Sequence, residues 1–373
     1  MEHYIKEIRI DGLRHLSGIV IALDSESRQH LMITGKNGSG KTSLLLAVQE
    51  FLQAINDNSL ALFEAQNKAG IDVLFNEYGD LENSYQKGDF ITAFFPANRR
   101  VQMFQVHGVQ DVKLENCYAV YSDPGALLLK YMVHLKTQQA YARNEGDLEI
   151  VERIQQWFCR FENALQILLD DPTVALEYDY KEYNFKIHQN ERKPFGFDEL
   201  SDGYSSVIHI VSDLIIRMDK NWLLSDRISE YDVEGIVLID ELETHLHIEL
   251  QKKILPFLTG FFPRIQFVVT THSPYILNSV SNAKAYDLER CVELENLSLY
   301  SSDGLAEGYF EADEYSEELK EIMERYQYLA EKTAPDERER AERAMLRSRL
   351  KNIPKDFSRE ARDKFEEIEG RCL

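Results

Sequence analysis

The segment Gly35-Lys36-Asn37-Gly38-Ser39-Gly40-Lys41-Thr42, followed by Ser43, has the G-x-x-x-x-G-K-[ST] spacing of a phosphate-binding loop. Glycines let successive backbone N–H groups turn inward around phosphate oxygens, and a helix starting at the end of the loop adds a favourable dipole. In that role the Lys41 ammonium pairs with β- and γ-phosphate oxygens, and the Thr42 hydroxyl binds Mg²⁺. Further along, Ile236-Val237-Leu238-Ile239 ends in Asp240-Glu241, two carboxylates at the tip of an apolar strand. Adjacent carboxylates there can divide labour: Asp240 holds Mg²⁺ through water, and Glu241 polarises an attacking water as a general base. The next apolar strand ends in Thr270-Thr271-His272-Ser273, which puts a histidine at the same sheet edge within reach of a γ-phosphate. Finally, Leu200-Ser201-Asp202-Gly203-Tyr204-Ser205-Ser206 precedes a helical pattern. Ser201 caps that helix or a bound anion, and Gly203 leaves its N–H open to phosphate.

These residues need a parallel sheet to gather them. Ile5, Ile8, Ile10 and Ile19, Ile21, Leu23 alternate around a turn and read as antiparallel strands; Leu31–Thr34 reads as a buried strand. The apolar spacing of Leu44, Leu45, Val48, Phe51 and Leu52 predicts a helix over Ser43–Ile55. Residues 56–90 read as loop-rich, and Phe90–Phe95 as a strand. The stretch from about 115 to 170 reads as helical, followed by a hairpin around Val174–Phe197 and a helix over Ser205–Met218. Strands at Ile236–Ile239 and Ile265–Val269 flank a helix over Ile248–Phe262, a βαβ unit. Residues 311–373 carry 18 acidic and 14 basic side chains, which favours exposed helices over a second enzymatic core. That tail is either a protein-docking platform or a solvated cap. The expected division is a core of residues 1–110 and 190–300, a helical insertion with its hairpin at 111–189, and a tail at 301–373.

In order along the chain, GKNGSGKT, LSDGYSS, IVLIDE and TTHS resemble the Walker A, signature, Walker B and switch-histidine elements of ABC-type ATPases. More narrowly, Glu241-Leu-Glu-Thr-His245-Leu-His247 and THSP resemble the RecF, SMC and OLD-like branch, which includes stand-alone ATPase subunits of Septu-like phage-defence systems. The resemblance implies an α/β, ABC-type P-loop core with ATP and Mg²⁺ as cofactors. It also implies a homodimer in which Ser201, Asp202 and Gly203 of one copy face the ATP held by Lys41 of the other. Glu241, His272 and Lys41 are then the catalytic set, Gly35 to Ser43 the nucleotide-binding loop, and Thr42 and Asp240 the metal ligands. Tyr204-Ser205 stands where transporter-type signatures usually carry Gly-Gln, and His247 replaces a usual Asp; both variants suit the narrower branch. No glutamine-loop residue stands out. Phe95-Pro96-Ala97-Asn98-Arg99-Arg100 is in the right place, with Gln102 nearby. The adenine contact stays open, with Arg14 and His15 as its candidates, and Arg99 and Arg100 read as phosphate or DNA ligands or as ordinary surface charge.

OLD-family chains add a nuclease that needs a D-x-D pair, and the sequence has none. A separate effector chain, a nuclease or toxin, is therefore the expected partner of an ATPase sensor or motor in anti-phage defence. A RecF-like repair ATPase that binds DNA is the alternative. With 64 acidic against 42 basic residues the net charge is -22, so nucleic-acid contact would need a local basic patch. No run of about 18 apolar residues spans a bilayer. With no secretory pattern at the N-terminus, a cytoplasmic location without membrane contact is expected. Cys117, Cys159, Cys291 and Cys372 lack metal or redox spacing.

Overall fold

A computed structural model describes residues 2–60, 70–99, 106, 108–190, 192–219, 233–294, 297, 300–301, 304–305, 317–332, 336–351, 365 and 368. Arg100, Gln102 and Cys372 lie outside the described residues. The chain divides into two compact units, residues 1–302 and 303–373.

In the first unit, β1 (Ile5–Ile10), β2 (Ile19–Ala22) and β4 (Ile71–Phe75) form an antiparallel sheet in the order β2-β1-β4. The main sheet has the order β11-β10-β3-β9-β8-β5, built from β3 (His30–Thr34), β5 (Phe90–Phe95), β8 (Glu234–Ile239), β9 (Ile265–Thr270), β10 (Ala283–Asp287) and β11 (Val292–Leu294). All its pairings are parallel except β10 with β11. β8 and β9 are buried along their whole length, the pattern expected of parallel strands covered on both faces. Helix α1 (Lys41–Asn56) follows β3 and buries Leu44, Leu45, Val48, Phe51 and Leu52. These side chains join Ile5, Ile8 and Ile10 of β1 and Ile236 and Leu238 of β8 in one core. Each such fully buried side chain contributes about 1.5–3 kcal/mol.

Between β4 and β5 lies the short helix α2 (Leu81–Lys87). The region 56–90 is therefore not simply loop: Ile71, Val73 and Phe75 alternate inward and complete the antiparallel sheet. The helical stretch begins later than expected, with α3 (Leu128–Glu145) and α4 (Leu148–Leu169); residues 124–127 form one 3₁₀ turn. The hairpin is β6 (Ala175–Asp179) with β7 (Asn184–His188). Helix α5 (Asp202–Met218) begins inside the signature-like segment, three residues before the expected start at Ser205, and α6 (Ile248–Phe261) and α7 (Pro274–Leu277) follow β8 and β9. The second unit holds α8 (Glu317–Glu331) and α9 (Glu337–Lys351), packed on their own small core of Met323, Tyr326, Leu329, Leu346, Leu350, Phe365 and Ile368. The α/β class read from the sequence holds, with a largely parallel main sheet, N-terminal antiparallel strands, inserted helices and a charged helical tail. Among the described residues, no helix is long and apolar enough to cross a membrane.

Helix α5 is tied to its surroundings by two buried carboxylates. Asp213 pairs with Arg217 at 2.5 Å, and Arg217 also donates to the carbonyls of Thr92, Tyr118, Ala119 and Ser122. At the end of α5, Asp219 accepts a 2.5 Å hydrogen bond from the Trp157 indole of α4. Burial raises the Asp219 carboxyl from the ordinary 3.8 to about 7, with the Trp157 bond opposing the rise. The folded chain thus keeps this proton to higher pH than the unfolded chain. Its stabilising contribution is full below about pH 4 and is lost as pH rises through about 7. Asp219→Asn mimics the protonated form, so thermal melts from pH 4 to 7.5 should show a shallower decline for this variant than for the wild type. Parallel melting curves would refute the assignment.

Candidate nucleotide site

The carboxyl ends of β3, β8 and β9 carry the expected motifs to one sheet edge, the usual ligand side of an open parallel sheet. The loop after β3 runs into α1 through Gly40, whose φ of 101° lies in the left-handed region. A Cβ there would also stand 2.8 Å from Leu16, so the close turn needs glycine. Past this turn the first amides of α1 have no intrahelical acceptor, which makes them anion donors. A pocket of about 230 Å³ opens over the loop, lined by residues that include Arg14, His15, Asn37, Lys41, Thr42 and Glu241. The His15 ring lies 3.2 Å from the Ser39 carbonyl, so the two candidates for base contact do flank the loop.

Lys41 donates to the carbonyls of Gly35 at 2.7 Å and Lys36 at 3.1 Å. Burial pushes its pKa down, and the carboxylates of Glu241, Glu243, Asp240 and Asp287 push it back up. Thr42 Oγ1 donates to Asp240 Oδ2 at 2.9 Å, joining the phosphate loop to the β8 tip. The other Asp240 oxygen accepts from Thr270 Oγ1 at 2.6 Å, and that hydroxyl accepts from the Glu241 N–H at 2.7 Å. Thr42 and Asp240 thus offer one hydroxyl and one oriented carboxylate in contact. This fits Mg²⁺, which takes few protein oxygens and fills its shell with water and phosphate.

Glu241 itself sits at φ 44°, a left-handed conformation rare for a residue with a side chain. Its carboxylate accepts from Thr244 Oγ1 at 3.3 Å and lines the pocket. His272 receives burial and the nearby Lys41 charge, both of which lower its pKa and favour the neutral ring. Its Nε2 is buried with no protein partner among the described residues, and its backbone N–H donates to Glu243 Oε1 at 2.5 Å.

Ser201, Asp202 and Gly203 do not line this pocket. Ser201 stands at the N-cap position of α5, yet its side chain makes no capping bond, and Ser201 and Asp202 are exposed. Gly203 packs on the turn after β8: a Cβ there would lie 2.6 Å from the His245 carbonyl, so this close approach excludes a side chain. Within one chain the signature-like segment therefore abuts the turn carrying Glu241 without entering the pocket.

Arg99 is neither a surface charge nor a free phosphate or DNA ligand. It is buried, 8% exposed, and its guanidinium binds protein oxygens around Asp240 and Ser206. Burial lowers its pKa to about 10, so it remains a cation at neutral pH. Besides this role of Arg99, sequence reasoning missed Thr270 and Glu243. Both lie inside quoted motifs, but only their partners across the sheet edge give them a task.

Comparison with known proteins adds an independent line. Residues 131–278 match the family described as "AAA domain, putative AbiEii toxin, Type IV TA system". Septu protein PtuA of Bacillus mycoides (strain KBAB4) is 24% identical over 95% of this chain and 51% of its own length. The "Retron Vc95 probable ATPase" of Vibrio cholerae serotype O1 biovar El Tor is 33% identical over 37% of this chain and 28% of its own. The chain is similar to ATPases of phage-defence type. It spans about half the length, or less, of these curated relatives. Among solved structures, an Smc head bound to the C-winged helix domain of ScpA matches with a TM-score of 0.43 and 11% identity, covering 79% of this chain and 96% of that one.

Proposed function

We propose that this chain binds and hydrolyses ATP as a cytoplasmic subunit, working as a homodimer that sandwiches ATP and controls a separate effector, a nuclease or toxin, in anti-phage defence. The observation that carries the reading is the contact of Thr42 with Asp240 at 2.9 Å, beside Lys41, Glu241 and His272 on one sheet edge. In the proposed reaction, Lys41 exchanges its two loop carbonyls for β- and γ-phosphate oxygens, and the first amides of α1 hold the phosphate chain. Glu241 takes the proton of the attacking water, and His272 Nε2 hydrogen-bonds the γ-phosphate. Mg²⁺, held by Thr42 and Asp240, would neutralise charge on the phosphate oxygens. The exposed Ser201 and Asp202, which line no part of this chain's own pocket, support the dimer. The similarity to Septu and retron proteins supports the defence role.

Phosphate release from MgATP by the purified chain tests the enzymatic half, and a rate at buffer background would sink it. For the effector, the gene with its chromosomal neighbours should protect host cells from phage. Lys41→Ala should abolish that protection, and a variant that protects as well as wild type would contradict control by ATP.

A further inference from the structure

The side chain of Arg99, just beyond β5, connects two segments that the proposed dimer would use on different ATP molecules. Its Nε donates to Ser206 Oγ at 2.9 Å, in the second turn of α5 behind Ser201–Gly203. Its Nη1 donates to the carbonyls of Asp240 at 2.8 Å and Pro96 at 3.2 Å. Nη2 donates to the carbonyls of Glu241 at 3.1 Å and Leu242 at 3.4 Å. A guanidinium has five N–H donors in a rigid plane, and all five find acceptors here. Three of those acceptors are consecutive carbonyls centred on Glu241, the residue held at φ 44°.

We propose that Arg99 is a positioning residue for hydrolysis, which couples the seating of the signature helix α5 to the conformation of the Glu241 turn. The proposal rests on the ATPase reading of the site. When Ser201 and Gly203 of one copy settle on the partner's ATP, α5 and Ser206 settle with them. Arg99 passes that placement to the carbonyls on either side of its own chain's Glu241. Each carboxylate is thereby best aligned when its chain has engaged the opposite nucleotide, so engagement at one site speeds hydrolysis at the other. Lysine, with a compact ammonium and three donors, cannot span the same five acceptors.

Two variants test this, chosen because Ser206→Ala removes one hydroxyl without adding bulk. We expect Ser206→Ala to lower kcat about tenfold and Arg99→Lys about a hundredfold, in line with a small misplacement of a catalytic group. KM for ATP and Tm should stay near wild type for Ser206→Ala, a split that a merely structural role would not produce. The double variant should be no slower than Arg99→Lys alone, because the two groups act as a unit. Wild-type kcat in Ser206→Ala, additive losses in the double variant, or a parallel fall of kcat and Tm would each overturn the proposal. A wild-type chain that binds MgATP without turnover would instead defeat the ATPase reading. Coupling would then be judged by amide hydrogen exchange over residues 240–244, which Ser206→Ala should accelerate; unchanged exchange would overturn it.

Discussion

Glu241→Gln should slow ATP hydrolysis by about 10²–10⁴-fold, the range lost when a general base is removed, while ATP binding survives. The amide fills the same volume and leaves the main-chain bond from the Glu241 N–H to Thr270 in place. It also spares Thr42 and Asp240, so the phosphate loop and the proposed Mg²⁺ ligands are unchanged. What disappears is the proton acceptor. With binding intact and turnover blocked, the ATP-bound dimer should accumulate, because ATP is the material between its two faces. Single-turnover phosphate release, nucleotide binding and light scattering on the same preparation would separate these effects. A variant that turns over near the wild-type rate would remove Glu241 from the role of base and redirect attention to Glu243, the other carboxylate beside His272.

A mixture of two inactive chains should recover activity. Lys41→Ala removes the cation that the loop presents to the phosphates, and Ser201→Arg places a long side chain where an exposed hydroxyl would meet the partner's nucleotide. Each homodimer should lose nearly all turnover, since every composite site contains one damaged half. In a mixed dimer, one site joins the intact Lys41 of one chain to the intact Ser201 of the other. Random pairing in an equal mixture then restores about a quarter of the wild-type sites, if the two sites of a dimer turn over independently. Mixing that returns no activity beyond the sum of the two preparations would argue against sharing of sites between chains. The Arg99 coupling lowers the recovery about tenfold further, because the Glu241 of the intact site belongs to the chain whose own Ser201 is damaged, and the remainder still exceeds the sum of the two preparations.

The elements that gather the site were legible because their signals are local. Gly35, Gly38 and Gly40 with Lys41 and Thr42 declare a loop by spacing alone, and the apolar runs before Asp240 and Thr270 declare buried strands. The short strands were harder to see. β10, with only Ala285 and Tyr286 as buried apolar residues, becomes a strand through its parallel register with β3. β4 had the alternation of Ile71, Val73 and Phe75, yet it stands among turn-forming residues that mask it. Arg99 was misread for a different reason. Three residues after a proline and beside another arginine it resembles surface charge, and only burial against residues more than a hundred positions away reveals four of its five acceptors. Glu243 and Thr270 teach the same lesson, since each acts on a group from the other strand end.

The tail unit keeps its own small core, from Met323 and Tyr326 to Ile368, and that has a meaning for how such a chain changes over generations. A side chain swapped inside that core is answered by neighbours in the tail, so repair of a damaging substitution can stay local. The described residues that line the candidate nucleotide site, from Lys41 and Thr42 to Glu241 and His272, all lie in the first unit. Recombination near residue 302 would therefore exchange one complete small core and carry the described site residues across together.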